Sequence, residues 1–291
     1  MVKFTVIGGN ASRDLAKRIA RRLKATYVGT QTKIFPDGES KITFGRIPKK
    51  STVIVVQSTY PPVDTNLLQA LSIISEAGKS SSKIYAIIPY MGYARQDKQF
   101  LGGEVITMSI VAKMIKMIGA KKVIFVDIHS KTALNHFKIP KENVSAIPEL
   151  AKYFKKMKLT NPLVVSPDLG GSLRAKKFAG ALNTDFVALK KSRDRNTGKV
   201  QIQSSKADVR GRDLVVIDDI ISTGGSVVKA TQFLKRQKCK RVFVACTHGL
   251  FIGDAVKKIK KAGVSQIIST NTIPGNTSKV DVSGVIVESI Q

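Results

Sequence analysis

The chain has 291 residues, 43% hydrophobic and 24% charged, which is ordinary globular composition and long enough for two cores. No apolar run approaches the roughly 20 residues of a membrane span, and the start, MVKFTVIGGN, lacks the layout of a secretory leader, so a cytosolic protein is expected. The formal charge of +29, from 49 Lys plus Arg against 20 Asp plus Glu, attracts polyanions of any kind, but it is scattered along the chain and names no partner.

Short apolar runs alternate with longer amphipathic stretches, the pattern of parallel strands joined by crossover helices. VKFTVI (2–7) is followed by the helical stretch LAKRIA (15–20), and FPDGE (35–39) reads as a turn built on Pro-Asp-Gly. VIVV (53–56) and YAIIP (85–89) read as strands buried on both faces. PYMGYARQDK (89–98) is a glycine and aromatic loop ending in Arg95, Gln96 and Asp97; the guanidinium fork suits phosphate oxygens or a base, and a surface salt bridge is the plainer reading. VIFV (123–126) runs into FVDIHS (125–130), where Asp127 and His129 share one side if the strand continues. Both side chains can serve a divalent ion, although a lone His near a strand end is more often hydrogen-bonded.

Pro140 and Pro148 bracket a polar stretch, and a boundary is placed near residue 145, within KENVSAIPEL (141–150). LVV (163–165) opens VVSPDLGGSLRAKKFA (164–179), in which Asp168 follows a strand and two glycines precede a helix. Amides and a carboxylate there suit a diphosphate or its metal, and a capped turn would look similar. ALKKSRDRNTGKV (188–200) is basic and polar and reads as a mobile loop. In LVVIDDIISTGGS (214–226), Asp218 and Asp219 end an apolar strand, and Ser222, Thr223, Gly224, Gly225 and Ser226 lead into the helix pattern VVKATQFLKRQ. Hydroxyls, glycines and the amides of a helix start make a phosphate cradle. Two carboxylates beside an anion site make sense if they face sugar hydroxyls or a metal, so a phosphosugar satisfies both ends. VFVAC (242–246) and QIIS (266–269) are further strands, with Cys239 and Cys246 lacking disulfide or metal spacing. VSGVIVESI (282–290) reads as a final strand of either half.

The runs repeat. Val6, Val56 and Ile88 find counterparts at Val165, Ile217 and Cys246, offset by 159, 161 and 158, and LAKRIA resembles RAKKFA (174–179), offset by 159.

The segment 214–226 resembles the phosphoribosyl pyrophosphate-binding signature of the type I phosphoribosyltransferase fold, with Ser222 where many relatives carry an acidic residue. With the tandem repeat, the chain resembles ribose-phosphate diphosphokinase over essentially its full length. That resemblance implies an α/β protein of two tandem type I phosphoribosyltransferase-like domains, each a mostly parallel sheet flanked by helices. Residues 1–145 would form the nucleotide side and 146–291 the ribose 5-phosphate side, the last strand staying with the second domain or returning to the first. The resemblance assigns Phe35, Asp37, Gly38 and Glu39, often across a subunit interface of a homo-oligomer, and Arg95, Gln96 and Asp97 to ATP. It assigns His129 and Asp168 to Mg2+, and Asp218, Asp219, Ser222, Thr223, Gly224, Gly225, Ser226 and Arg193 to ribose 5-phosphate. Lys191 and Arg193 would close over the reacting phosphates, with Lys190 the alternative lysine because Ser192 stands where a basic residue is usual. The activity implied is transfer of the terminal diphosphate of ATP to ribose 5-phosphate. A catalytically silent homologue, a base-transferring phosphoribosyltransferase and a nucleic-acid-binding protein are the rivals. Neither GxxxxGK[ST] nor GxGxxG occurs after a strand, which argues against a P-loop or dinucleotide fold.

Overall fold

A computed structural model describes residues 3–193, 200–203 and 208–290, with the backbone alone for 191–193 and 200–203. The chain divides into two compact units, the first comprising 3–145, 271–274 and 281–290, the second lying within 146–270 and 275–280. Among the described residues no helix is long and apolar enough to cross a membrane.

The first unit contains β1 (Phe4–Gly8), α1 (Arg13–Leu23), β2 (Thr26–Ile34), β3 (Ser40–Phe44), β4 (Thr52–Val56), α2 (Val63–Gly78), β5 (Ile84–Ile88), α3 (Thr107–Met117), β6 (Lys122–Val126), α4 (Lys131–Asn135) and β7 (Lys141–Val144). The second contains α5 (Ile147–Lys155), β8 (Leu163–Ser166), α6 (Ser172–Leu182), β9 (Phe186–Ala188), β10 (Lys190–Arg193), β11 (Val200–Gln203), β12 (Asp213–Ile221), α7 (Gly225–Arg236), β13 (Arg241–Gly249), α8 (Ala255–Lys261), β14 (Val264–Thr270) and β15 (Ser278–Val280). A last helix, α9 (Ser283–Glu288), belongs to the first unit.

Along the first sheet the order is β3-β2-β1-β4-β5-β6-β7, and along the second β15-β14-β13-β12-β8-β9. Apart from β3, which pairs antiparallel with β2, each neighbour pair in these two sheets is parallel. With β3 set aside, the sequence β2-β1-β4-β5-β6-β7 is matched one for one by β9-β8-β12-β13-β14-β15. The helices repeat too: Ala16, Ile19 and Ala20 of α1 are buried, as are Ala175, Phe178 and Ala179 of α6. Each of these helices ends on a left-handed residue, Lys24 and Asn183, whose amide returns to the last turn.

The eight apolar runs read from sequence are all strands. Parallel strands covered by helices on both faces need apolar side chains at consecutive positions, and β4 is buried throughout. Three expectations are corrected. VSGVIVESI is a helix, α9, and not a strand: Val282, Ile286 and Ile290 are buried at four-residue spacing, and the Asp281 carboxylate accepts from Ser283 N–H (3.0 Å) and Oγ (2.8 Å) at its start. Its β-branched residues imitate a strand, but α9 packs on α1, where Arg22 Nε donates to Ser283 Oγ (2.8 Å). Within the stretch read as a loop at 188–200, the backbone of Lys190–Arg193 pairs antiparallel with Val200–Gln203, and 194–199 lie outside the described residues. The strand before His129 stops at Val126, since Asp127 takes a left-handed φ of 40°, so the alternation argument for Asp127 and His129 fails.

Asp213, at the start of β12, is fully buried; its carboxylate accepts from Arg241 Nε (2.9 Å) and Nη2 (2.5 Å) and from Thr160 N–H (2.7 Å). Burial pushes its carboxyl up, but Arg241, the Thr160 amide and Lys240 together hold it below the usual carboxylate range. This stabilisation is present above the unfolded-state pKa near 4 and is lost as pH falls through the lower native value. We expect Asp213→Asn to reduce stability by about 1–3 kcal/mol at neutral pH. The difference between variant and parent in urea melts should shrink in strong acid, whereas a gap that widens there would contradict the assignment.

Candidate active site

In the second unit, β12 carries Asp218 and Asp219 near its end, and Ser222, Thr223 and Gly224 connect it to α7. The main chain is held there from the side, with Phe251 N–H donating to Ile221 O (3.0 Å) and Ile252 N–H to Ser222 O (3.1 Å). Gly224 has a left-handed φ of 76°, and a Cβ added to it would lie 2.9 Å from Ile259 Cδ1, so both backbone and space demand glycine. Thr223, Gly225 and Ser226 are exposed, and α7 begins at Gly225, so hydroxyls and the start of a twelve-residue helix face solvent together. That combination suits an anion.

The acidic pair has a partner that the sequence does not announce. Arg174 of α6 donates through Nη1 to Asp218 Oδ1 (3.1 Å), and its Nη2 lies 3.2 Å from Asp219 Oδ2. Main-chain amides hold the inner oxygens: Asp219 N–H donates to Asp218 Oδ1 (2.9 Å) and Ile220 N–H to Asp219 Oδ1 (2.9 Å). The Asp218 carboxyl is pushed up to about 7 by burial and then by the Asp219 charge and hydrogen bond, with Arg174 pulling the other way. Sequence reasoning passes over Arg174, although the repeat contains the signal. At the 159 offset its counterpart is Leu15, a core residue of α1, and an arginine where a copy has buried leucine requires a buried counter-charge.

Asp168 lies between β8 and α6. Its Oδ1 accepts from Gly171 N–H (3.2 Å), its carbonyl oxygen accepts from Ser166 Oγ (2.6 Å), and a Cβ at Gly171 would stand 2.5 Å from Ser166 Oγ. Lys191 and Arg193 have their backbone in β10; their side chains lie outside the described residues. Lys190 is exposed.

The nucleotide-side residues lie in the first unit. Phe35–Glu39 form the tip of the β2–β3 hairpin, closed by Phe35 N–H to Glu39 O (2.8 Å) and Gly38 N–H to Phe35 O (2.9 Å), with Gly38 at φ 92°. Asp37 Oδ1 accepts from Glu39 N–H (3.1 Å), Asp37 and Glu39 are exposed, and Lys33 Nζ sits 5.1 Å from the Phe35 ring centroid. Arg95 and Gln96 are exposed on the loop after β5. Asp97 is buried instead: its carboxylate accepts from Ser130 Oγ, and its carbonyl oxygen meets His136 Nε2 at 2.8 Å. Ser130 also caps α4 by accepting from Ala133 N–H (2.9 Å), so Asp97 ties the Arg95 loop to the loop carrying exposed His129.

Among the described residues no three His, Cys, Asp or Glu side chains converge into a metal cage. Magnesium bound mainly by substrate oxygens and water needs only one or two protein carboxylates, so Asp168, an oxygen donor in a glycine turn, fits it, and His129 fits at most as a single contact.

A flanked parallel sheet with an acidic strand tip, a glycine turn and a hydroxyl-lined helix start defines the phosphoribosyltransferase class in the second unit, and the first unit repeats its strand order without the acidic tip. Residues 4–119 match the N-terminal domain of ribose phosphate pyrophosphokinase, and residues 141–283 match the phosphoribosyl transferase domain. Ribose-phosphate pyrophosphokinases of Sulfolobus acidocaldarius and Vibrio vulnificus are 38% and 35% identical, over 96% and 100% of this chain and 97% and 96% of theirs. The crystal structure of phosphoribosylpyrophosphate synthetase from Mycobacterium smegmatis matches with a TM-score of 0.87 at 27% identity, over 99% of this chain and 97% of that one. The chain belongs to the ribose-phosphate pyrophosphokinase family.

In the protein without ligand, the acidic pair is expected to release one proton near pH 7. Carbon-detected NMR of the Asp carboxyls would follow it, and Asp219→Asn should move the Asp218 step down toward the ordinary range. Because this carboxyl is raised, its contribution to stability is complete below pH about 4 and is lost as pH rises through about 7. An Asp218 step unmoved by Asp219→Asn would show that the neighbour is not the cause.

Proposed function

We propose that the chain transfers the β,γ-diphosphate of ATP to the 1-hydroxyl of ribose 5-phosphate, giving 5-phosphoribosyl 1-diphosphate and AMP. The observation that carries this reading is an asymmetry between the two copies. At the tip of β12 an acidic pair opens into an exposed hydroxyl and glycine turn. At the tip of β4, its counterpart, Gln57, Ser58 and Thr59 are buried and internally bonded. Gln57 Oε1 accepts from Ala11 N–H (3.1 Å), Ser58 N–H donates to Ser12 Oγ (2.8 Å), and Thr59 Oγ1 accepts from Gly92 N–H (2.7 Å). One copy keeps a pentose-phosphate turn; the other leaves its exposed loops, Phe35–Glu39 and Arg95–Gln96, for a second ligand.

In this reading the anomeric oxygen of ribose 5-phosphate attacks the β-phosphorus, the bond from that phosphorus to the α-phosphate oxygen breaks, AMP leaves, and the hydroxyl proton passes to solvent. Such a transfer asks for alignment and charge neutralisation more than for covalent help. Asp218 and Asp219 receive the ribose hydroxyls, and Ser222 to Ser226 hold the 5-phosphate. Arg95 and Gln96 bind ATP above buried Asp97, together with Phe35, Asp37, Gly38 and Glu39 near a subunit interface of a homo-oligomer. Lys191 and Arg193 meet the growing phosphate charge. Asp168 in the second unit and His129 in the first are each a Mg2+ contact in this reading, and the ion when bound would offset charge on the diphosphate. The cytoplasmic location expected from the sequence is carried forward with this reading.

The protein incubated with ATP, Mg2+ and ribose 5-phosphate should form AMP and the diphosphate sugar in equal amounts; ADP as the nucleotide product, or no AMP, would sink the assignment. Alanine at Lys191 or Arg193 should lower turnover by about 10² or more while ATP still binds. Unchanged turnover in both variants would remove them from the mechanism. Asp219→Asn should weaken ribose 5-phosphate more than ATP in calorimetric titrations, and equal losses would contradict the division of ligands between the loops.

A further inference from the structure

We infer that Arg174 is a positioning residue of the pentose site: its guanidinium fork spans Asp218 and Asp219 and holds both carboxylates in the arrangement that receives the ribose hydroxyls. This rests on the reading above and extends it to a residue on a different element, α6, separated by 44 residues from Asp218.

The contacts come from the guanidinium on one side and from main-chain amides on the other. Nη1 and Nη2 of one planar group take Asp218 Oδ1 (3.1 Å) and Asp219 Oδ2 (3.2 Å), while main-chain amides take Asp218 Oδ1 and Asp219 Oδ1. Every carboxylate oxygen except Asp218 Oδ2 therefore has an arginine or main-chain partner among the described residues. An ammonium could not span both side chains with the same fixed geometry. The three side chains are 22%, 23% and 5% exposed, so the interaction is shielded from water and salt.

The duplication supplies an internal control. The α1 counterpart of Arg174 is Leu15, 3% exposed, and the β4 tip beside it ends in uncharged Gln57 and Ser58. The same helix and strand thus pack with no ion pair in the first copy, so the fold does not require the arginine. In the second copy the cation and both carboxylates occur together. Two adjacent carboxylates repel one another, and a phosphate-bearing ligand at the next turn adds to the repulsion. A fixed cation behind them offsets that charge and sets their direction before the sugar arrives, which reduces the ordering left to be done on binding.

Arg174→Leu, which restores the residue of the other copy, should raise the Kd and KM for ribose 5-phosphate about 10- to 100-fold and leave the Kd for ATP unchanged. Arg174→Lys should fall between parent and leucine variant, and thermal melts of each protein report the fold. Native ribose 5-phosphate affinity in the leucine variant, or equal weakening for both ligands in a variant that melts normally, would overturn the inference. If the leucine variant does not fold, the lysine variant decides, because full affinity there would mean that the fork has no role. Absence of ribose 5-phosphate binding and AMP formation in the unsubstituted protein would defeat the functional reading instead, and is told apart by being measured first.

Discussion

Burying a carboxylate is unfavourable unless something opposes its charge, and β12 ends with two of them side by side. Leu214 to Ile217 have no exposure at all, so the carboxylates emerge directly from the apolar core of the second unit. Arg174 and two main-chain amides resolve the conflict without removing it. Asp218 still resists ionisation relative to an ordinary carboxyl, which leaves the pair ready to gain from further donors such as sugar hydroxyls. The glycine at 224 belongs to the same arrangement, because only a left-handed turn of small cross-section lets the chain pass Ile259 and start α7 at once.

The two copies show how one scaffold separates stability from chemistry. Their strand order is the same, and α1 and α6 bury equivalent faces, so the cores follow common packing demands. The loops at the ends of β4 and β12 have gone opposite ways. One is closed by a side-chain amide and a hydroxyl that accept from main-chain N–H groups, and the other carries unlike charges and an exposed hydroxyl turn. The β2–β3 hairpin has its counterpart in the antiparallel β10–β11 pair, with the difference that β3 joins the first sheet through β2 whereas β10 and β11 form a separate two-stranded sheet.

Legibility followed the physics of each segment. Strands buried on both faces were plain because burial there demands consecutive apolar residues, as in Thr52–Val56 and Arg241–Gly249. β2 and the edge strand β7 went unread because their exposed positions take polar residues and no long apolar run remains. Residues 283–288 misled for another reason: Val285, Ile286 and Val287 are favoured in strands, and their helical burial depends on α1, an element 260 residues earlier in the chain. Asp97 likewise reads as a solvent-facing loop residue, and only the approach of Ser130 makes it a buried tie.

By itself the sequence determined the duplicated α/β plan, the apolar strands, and the acidic pair, glycines and hydroxyls of 214–226, because these depend on local composition and spacing. Tertiary structure decided that Arg174 faces Asp218 and Asp219, that Asp97 points inward, and that the last residues form a helix on the first unit. Each of those is set by a partner distant in the chain, and charge balance or burial at such a distance leaves no periodic trace in the sequence.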